Sequence, residues 1–362
     1  MNIPVTKPSL PPVADYQALV AGIWQRQWLT NHGPLVSELE MLLKDHLSLE
    51  HLPFLANGTV ALQVAIRACG LHGEVITTPF SYVATTSSIA WEHCQPVMVD
   101  IDPETLNIDP ARIEAAITPR TTGILATHVF GNPCRVEDIE ATARRHQLKG
   151  IYDAAHAFGT LYKGRSLLSY GDVSTCSFHA TKLFHTVEGG LVTSPDAETL
   201  RRMALLRNFG HASQTEFDGI GINGKNSEFH AAMGLCNLPH VPSILAQRQA
   251  LSERYRSNLA DSGLRFQKIE VDTRYNHAYF PIIFPTEQAL DETLSTLNQH
   301  TIFPRRYFYP SLSTLDYVGD QHTPIADDIS RRVLCLPLYH TLSLEEVDLV
   351  SRLIKRSLRY RA

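Results

Sequence analysis

Residues 149–190, KGIYDAAHAFGTLYKGRSLLSYGDVSTCSFHATKLFHTVEGG, contain two short runs of apolar and β-branched residues, KGIYD and DVSTCSF, and each is followed by a polar cluster. Asp153 and His156 come after the first; His179, Lys182 and a glycine pair come after the second. Runs of this length and composition read as buried strands. In open α/β sheets ligands gather at the carboxyl ends of the strands, so the two clusters stand where a site is expected.

The same pattern recurs upstream. GEVITTP, QPVMVDI and TGILATHVF read as further strands, and DPARIEAAI and VEDIEATARRHQ, at helical spacing, separate several of them. Strands alternating with helices predict an α/β fold with a mostly parallel central sheet. Residues 34–47 place Leu35, Leu39, Leu42, Leu43 and Leu47 on one helical face behind Pro34, and NGTVALQVAIRACG reads as a nearly all-apolar helix closed by Gly70. Beyond about Pro239 the pattern changes to a long helical stretch, short strands near HAYFPIIFP, and a last helix LEEVDLVSRLIKRSL. The expected division is a large domain over 1–239, including an N-terminal arm, and a smaller C-terminal α+β domain over 240–362.

Composition narrows the class. The chain has 362 residues, a net charge of −5 and a charged fraction of 19%, which favour a globular body over a disordered chain or a coiled coil. Lys and Arg are scattered without the basic stripe that a nucleic-acid backbone demands. The six cysteines form no CxxC pair, which predicts reduced thiols and no metal site. With no apolar run long enough to span a membrane and no signal pattern at the start, a cytoplasmic location is expected.

Singly, the unusual residues have ordinary explanations. Asp153 could cap a helix, Lys182 could be a surface charge, Asn57-Gly58-Thr59 could be a turn, Tyr82 a core aromatic, and His156 and His179 hydrogen-bonding histidines. Together they supply what pyridoxal 5'-phosphate needs: a lysine amine for a Schiff base, a carboxylate against the pyridine nitrogen, donors for a phosphate dianion, and a flat group over the ring. Lys182 and Asp153 suit the first two roles. The helix beginning at Asn57, with the Thr59 and Ser177 hydroxyls, suits the phosphate, because free N–H groups and the helix dipole favour an anion.

The motifs WLTNHGP, NGTVAL, TTPFSYVAT, VDIDPETLNID, HVFGNP, DAAHAFG, SFHATKLFHTVEGG and GINGKNSEFHAAMG, in this order, resemble the sugar-nucleotide aminotransferases of the DegT/DnrJ/EryC/StrS type, within fold type I of the pyridoxal-phosphate enzymes. The resemblance implies that Lys182 forms the Schiff base and shuttles the proton, that Asp153 pairs with the pyridine nitrogen, and that His156 lies near the ring hydroxyl. It implies that Tyr82 stacks on the ring, that Gly58, Thr59 and Ser177 hold the phosphate, and that Asn223 reaches the phosphate of a neighbouring subunit in a homodimer with shared sites.

A branch of the family that has histidine at the lysine position dehydrates its sugar; retention of Lys182 favours transamination. The EGG that closes the lysine motif resembles enzymes aminating C4 of a 4-keto-6-deoxy sugar nucleotide, with L-glutamate as donor and dTDP-4-amino-4,6-dideoxyglucose as the expected product. Amination at C3, dehydration, and a non-catalytic cofactor-binding regulator are the competing readings. For the sugar nucleotide, Arg305, Arg306, Tyr307 and Tyr309 in FPRRYFYP are candidate diphosphate contacts, although a solvated basic turn fits equally; Trp28, Thr30 and His179 are candidate lining of the sugar pocket.

Overall fold

A computed structural model describes residues 2–359. In chain order, the first elements are β1 (Ile3–Pro4), α1 (Val13–Arg26), α2 (Pro34–Leu47), β2 (Phe54–Leu55), α3 (Gly58–Ala68), β3 (Glu74–Thr77), α4 (Val83–Trp91), β4 (Gln95–Met98), α5 (Pro110–Ile113) and β5 (Thr121–Thr127). There follow α6 (Val136–Arg145), β6 (Lys149–Asp153), β7 (Leu161–Tyr162), β8 (Arg165–Ser166), β9 (Val173–Ser177), β10 (Gly190–Thr193), α7 (Ala197–Arg207) and α8 (Glu228–Asn237). The expected strands and helices of this half are present.

The central sheet has seven strands in the order β2-β10-β9-β6-β5-β3-β4. Neighbours from β4 across to β9 are parallel, whereas β10 runs antiparallel to both β9 and β2. From β3 the chain moves outward to β4, then returns to place β5 on the other side of β3, so the crevice at the carboxyl ends of β3 and β5 is a topological switch point. Because β9 and β10 form an antiparallel pair, the segment joining them, residues 178–189 with Lys182 in it, loops over that same edge of the sheet.

Apolar spacing explains the layers. Leu35, Leu39, Leu43 and Leu47 of α2 are buried in the main core, on a strict i, i+4 row. Leu42, expected with them, lies off that row and is 37% exposed. Helix α3 is enclosed on most sides, with Ala61, Leu62, Val64, Ala65, Ile66 and Ala68 all buried.

The second half runs through α9 (Val241–Leu259), β11 (Arg265–Phe266), β12 (Thr273–Arg274), β13 (Phe280–Ile283), α10 (Glu287–Gln299), β14 (Ile302–Phe303), α11 (Pro324–Arg332), β15 (Val333–Leu336) and α12 (Leu344–Arg359). β11, β13 and β15 form an antiparallel sheet. Helix α9 carries two cores: Val241 and Ile244 belong to the main one, Leu251, Tyr255 and Leu259 to a second built from α9, α10, α12 and this small sheet. The N-terminal strand pairs in parallel with β14, Ile3 opposite Ile302, so the start of the chain packs against its second half. No helix among the described residues is long and apolar enough to cross a membrane.

Candidate active site

Asp153 is the last residue of β6, a central strand whose register sets it opposite Thr127 on β5 and Thr175 on β9. Its backbone carbonyl accepts from the His128 N–H at 3.0 Å, which anchors the strand end. The carboxylate is buried; Oδ1 accepts from the Ala155 N–H at 3.1 Å and Oδ2 from the Thr85 hydroxyl at 2.7 Å. Burial pushes the Asp153 carboxyl above the usual range, opposed by these two hydrogen bonds and by the nearby Lys182 ammonium.

Lys182 sits at the start of the β9–β10 loop, its N–H donating to the His179 carbonyl at 2.8 Å. Desolvation lowers its pKa and the charge of Asp153 opposes that shift. A lysine so placed holds its amine closer to the free base than a surface lysine does, which is the form a nucleophile and a proton carrier require. The phenol of Tyr82, at the N-cap of α4, also interacts with Lys182, and Tyr82 interacts with Tyr307. Tyr82 itself is 59% exposed, so one side of the site is open in the single chain.

The start of α3 closes a second side. The Asn57 side chain caps the helix by accepting from the Val60 N–H at 2.9 Å, leaving the first N–H groups of α3 free of intrahelical partners. Gly58 abuts Ser177 at the end of β9: a Cβ at position 58 would stand 2.9 Å from the Ser177 Cβ. Gly190 is equally tight, its imagined Cβ falling 2.5 Å from the Asn57 carbonyl oxygen. These glycines let the helix terminus and the strand end approach closely, setting the first N–H groups of α3 beside the Ser177 hydroxyl as a small cradle for an anion, with Thr59 exposed at the same helix start.

His156 completes the set. Its ring is buried, stacked on Phe130 at 6.2 Å and on Phe308 at 5.8 Å, and tilted against Tyr279 at 4.8 Å. Burial keeps it neutral, well below the usual histidine range, and its Nδ1 has no hydrogen-bond partner. An orphaned buried nitrogen beside a carboxylate–lysine pair and an anion cradle is what an aromatic phosphate cofactor with ring substituents would satisfy. The residues fit pyridoxal phosphate.

The other expected residues lie elsewhere. His179, next to Ser177, is turned onto the Thr181 hydroxyl at 2.8 Å and lies 3.6 Å from the Glu188 carboxylate. Trp28 and Thr30 are exposed and bonded to each other, indole N–H to carbonyl at 2.6 Å. Asn223 is exposed and accepts from the Lys225 ammonium at 2.9 Å. WLTNHGP and GINGKNSEF nevertheless meet at a cavity of about 610 Å³ lined by residues including Asn31, His32, Arg207, His211 and Lys225. None of Lys182, Asp153 or His156 lines it.

In FPRRYFYP the two arginines differ. Arg306 is held by the Glu287 carboxylate at 2.8 Å, by Asp291 and by the Arg331 carbonyl, and its guanidinium stacks 3.7 Å over the Tyr309 ring. Its two terminal nitrogens are committed within the second half of the chain, while its buried Nε has no hydrogen-bond partner. Arg305 is exposed and close enough to Tyr307 to oppose the rise of that phenol to about 12, which desolvation causes.

Two sets of residues escaped the sequence reading. Ser81, Thr85 and Thr127 join Asp153 in a buried polar network. Glu228, fully buried, receives the Leu35 and Val36 N–H groups at 3.0 and 2.9 Å and so caps α2 from another helix. Only the threonine-rich start VATT of α4 hints at the first; nothing local hints at the second.

Known proteins give the same picture. Two proteins each named dTDP-4-amino-4,6-dideoxy-D-glucose transaminase are similar over nearly their whole lengths: one from Shigella dysenteriae is 42% identical, covering 97% of this chain and 98% of its own. The other, from Escherichia coli, is 39% identical over 98% of each. The crystal structure of DesI with its TDP-sugar product superposes with a TM-score of 0.94 at 33% identity, covering 99% of this chain and 94% of that one. The fold is that of the fold type I pyridoxal-phosphate enzymes. Matched over residues 13–355, the chain belongs to the DegT/DnrJ/EryC1/StrS aminotransferase family and is a pyridoxal-phosphate-dependent aminotransferase.

Proposed function

We propose that the protein transfers an amino group from L-glutamate to C4 of a nucleotide-linked 4-keto-6-deoxy sugar, with dTDP-4-keto-6-deoxyglucose as substrate and dTDP-4-amino-4,6-dideoxyglucose as product. The observation that carries the transamination is the convergence of buried Asp153 and desolvated Lys182 at one sheet edge beside the N-terminus of α3. The substrate rests on the likeness to the two transaminases and on the EGG ending of the lysine loop.

When bound, the cofactor supplies an electron sink that stabilises negative charge at the carbon losing its proton. The chain supplies the rest. Lys182 would hold the cofactor through its Nζ and, once that nitrogen is freed, would move the proton; its lowered pKa keeps the nitrogen available as a base. Asp153 would pair with the ring nitrogen and keep it protonated. His156 would offer its unpartnered Nδ1 to the cofactor's ring hydroxyl, Tyr82 would stack on the ring, and Gly58, Thr59 and Ser177 would hold the phosphate. Trp28, Thr30, His179, Arg305 and Tyr307 contact the sugar nucleotide; Arg306 shapes the turn that carries Arg305.

The site is completed in a homodimer, by this reading. Support comes from apolar side chains left bare on the single chain, Ile220 at 91% and Phe217 at 64% exposure, in the segment that leads into the exposed Asn223. A second copy bringing Asn223 to the phosphate would cover both. The cofactor-holding unit is residues 1–239 and the closing unit 240–362.

Incubation with glutamate and a panel of 4-keto and 3-keto nucleotide sugars, followed by mass and NMR analysis, tests the assignment. The 4-amino product from the dTDP sugar is expected. A 3-amino or a dehydrated product would replace it with a competing reading.

A further inference from the structure

Counting protons fixes the direction of the hydrogen bonds around Asp153. The Thr85 hydroxyl donates to Asp153 Oδ2 at 2.7 Å, which uses its single proton. The 2.7 Å contact between Ser81 Oγ and Thr85 Oγ1 is therefore one in which Ser81 donates. With that proton spent, the 3.1 Å contact between Thr127 and Ser81 runs from Thr127 to Ser81. Three hydroxyls thus point in series at one carboxylate oxygen. All four residues are at most 5% exposed.

They converge from separate parts of the switch-point crevice. Thr127 and Asp153 end the paired strands β5 and β6, Ser81 lies in the turn after β3, and Thr85 is in the first turn of α4. Helix needs do not explain them. The N-cap of α4 is Tyr82, which makes no side-chain cap, and Thr85 turns away from its own helix, whereas Ser87 bonds back to the Ala84 carbonyl. Thr77, one strand end away, satisfies its hydroxyl on the Leu125 carbonyl at 2.8 Å in the ordinary manner.

We propose that Thr127, Ser81 and Thr85 form a one-way hydroxyl chain that holds the Asp153 carboxylate ionised and in a single orientation for the ring nitrogen of the cofactor. This deepens, and rests on, the role given to Asp153 above. Donors in series polarise one another and strengthen the last bond, and a hydroxyl-to-carboxylate bond is charge-assisted. The chain offsets the burial that would otherwise favour a protonated, neutral Asp153. Lys182 from the β9–β10 loop and the Cys176 thiol of β9 are the titratable groups that interact with it. The three hydroxyl residues are positioning residues; they act through Asp153.

Thr85→Val removes the donor at constant shape, Thr85→Ser keeps it, and Ser81→Ala breaks the chain one link back. In the apoprotein, isotope-edited infrared spectroscopy assigned by difference from Asp153→Asn reads the Asp153 titration directly. The midpoint should rise by about one pH unit in Thr85→Val, less in Ser81→Ala, and not in Thr85→Ser. In the holoenzyme the pH midpoint of the cofactor's visible absorbance band should move in the same order. An unchanged Asp153 midpoint in Thr85→Val, or an equal shift in Thr85→Ser, overturns the proposal, as does a fall in melting temperature with both midpoints unmoved. Apoprotein shifts in the expected order without any visible band in the wild-type protein would uphold the hydroxyl chain and overturn the cofactor assignment.

Discussion

Gly58 and Ser177 meet where α3 begins and β9 ends, so closely that a side chain at position 58 would stand 2.9 Å from the Ser177 Cβ. That contact brings the free N–H groups of a helix terminus and a strand-end hydroxyl to one place, the arrangement that suits a phosphate dianion. Gly58→Ala should force the two elements apart and weaken cofactor binding about tenfold or more, the strain of a misplaced methyl group being of order 1–3 kcal/mol. Fluorescence titration of the apoprotein with pyridoxal phosphate measures it.

Arg305→Ala and Arg306→Ala should separate. Arg306 is held by Glu287 and the Arg331 carbonyl, so its loss should cost about 1–3 kcal/mol of stability and leave KM for the sugar nucleotide nearly unchanged. Arg305, exposed beside Tyr307, should leave stability unchanged but raise that KM by about ten- to a hundredfold, a diphosphate contact being worth roughly 1.5–3 kcal/mol. Urea unfolding and steady-state kinetics on both variants check the pair.

Glu228→Gln should destabilise the protein by about 1–3 kcal/mol, because one of the two buried α2 N–H groups loses its acceptor and the charge facing the helix dipole disappears. Unfolding of the variant should start at lower denaturant with the slope unchanged.

His128 gives the protein a measurable pH dependence. It is buried, stacked on Tyr152 at 4.7 Å, and desolvation lowers its pKa from 6.5 to about 3. The unfolded chain therefore takes up a proton near pH 6.5 that the folded protein refuses until about pH 3, and stability falls as pH drops through that window, by about 2 kcal/mol at pH 5. Glu74 and Asp348, whose folded values are depressed, withdraw stability only below their ordinary values of 4.5 and 3.8. Asp153, whose value is raised, acts in the opposite direction. Urea unfolding at pH 7 and pH 5 should show the loss, and His128→Gln should reduce the difference.

Much of this was readable in the chain because periodicity and residue type are local. The strand carrying Asp153, the loop carrying Lys182 and the glycine-led helix each announce themselves within a dozen residues. What was not readable depends on distant partners. The leucine at position 42 looks like its neighbours, and only the direction of the α2 row excludes it from the core. The hydroxyls of Ser81, Thr85 and Thr127 look like turn and strand residues until the register of β5 and β6 brings them to one carboxylate. FPRRYFYP presents two adjacent arginines, and only the fold of α10 and α11 commits one of them to Glu287 and the Arg331 carbonyl. The pairing of Ile3 with Ile302 joins opposite ends of the chain, which no local pattern encodes.

The central claim is that Lys182 is the group that moves the proton. Mixing the holoenzyme with glutamate alone, without sugar, and following release of 2-oxoglutarate in a single turnover tests it most directly. Wild-type protein should release one equivalent per site with a matching change in the visible absorbance, while Lys182→Ala, still able to bind the cofactor, should be slower by at least about a thousandfold, the scale of a lost general acid–base group. Release of 2-oxoglutarate by Lys182→Ala at the wild-type rate would contradict the account.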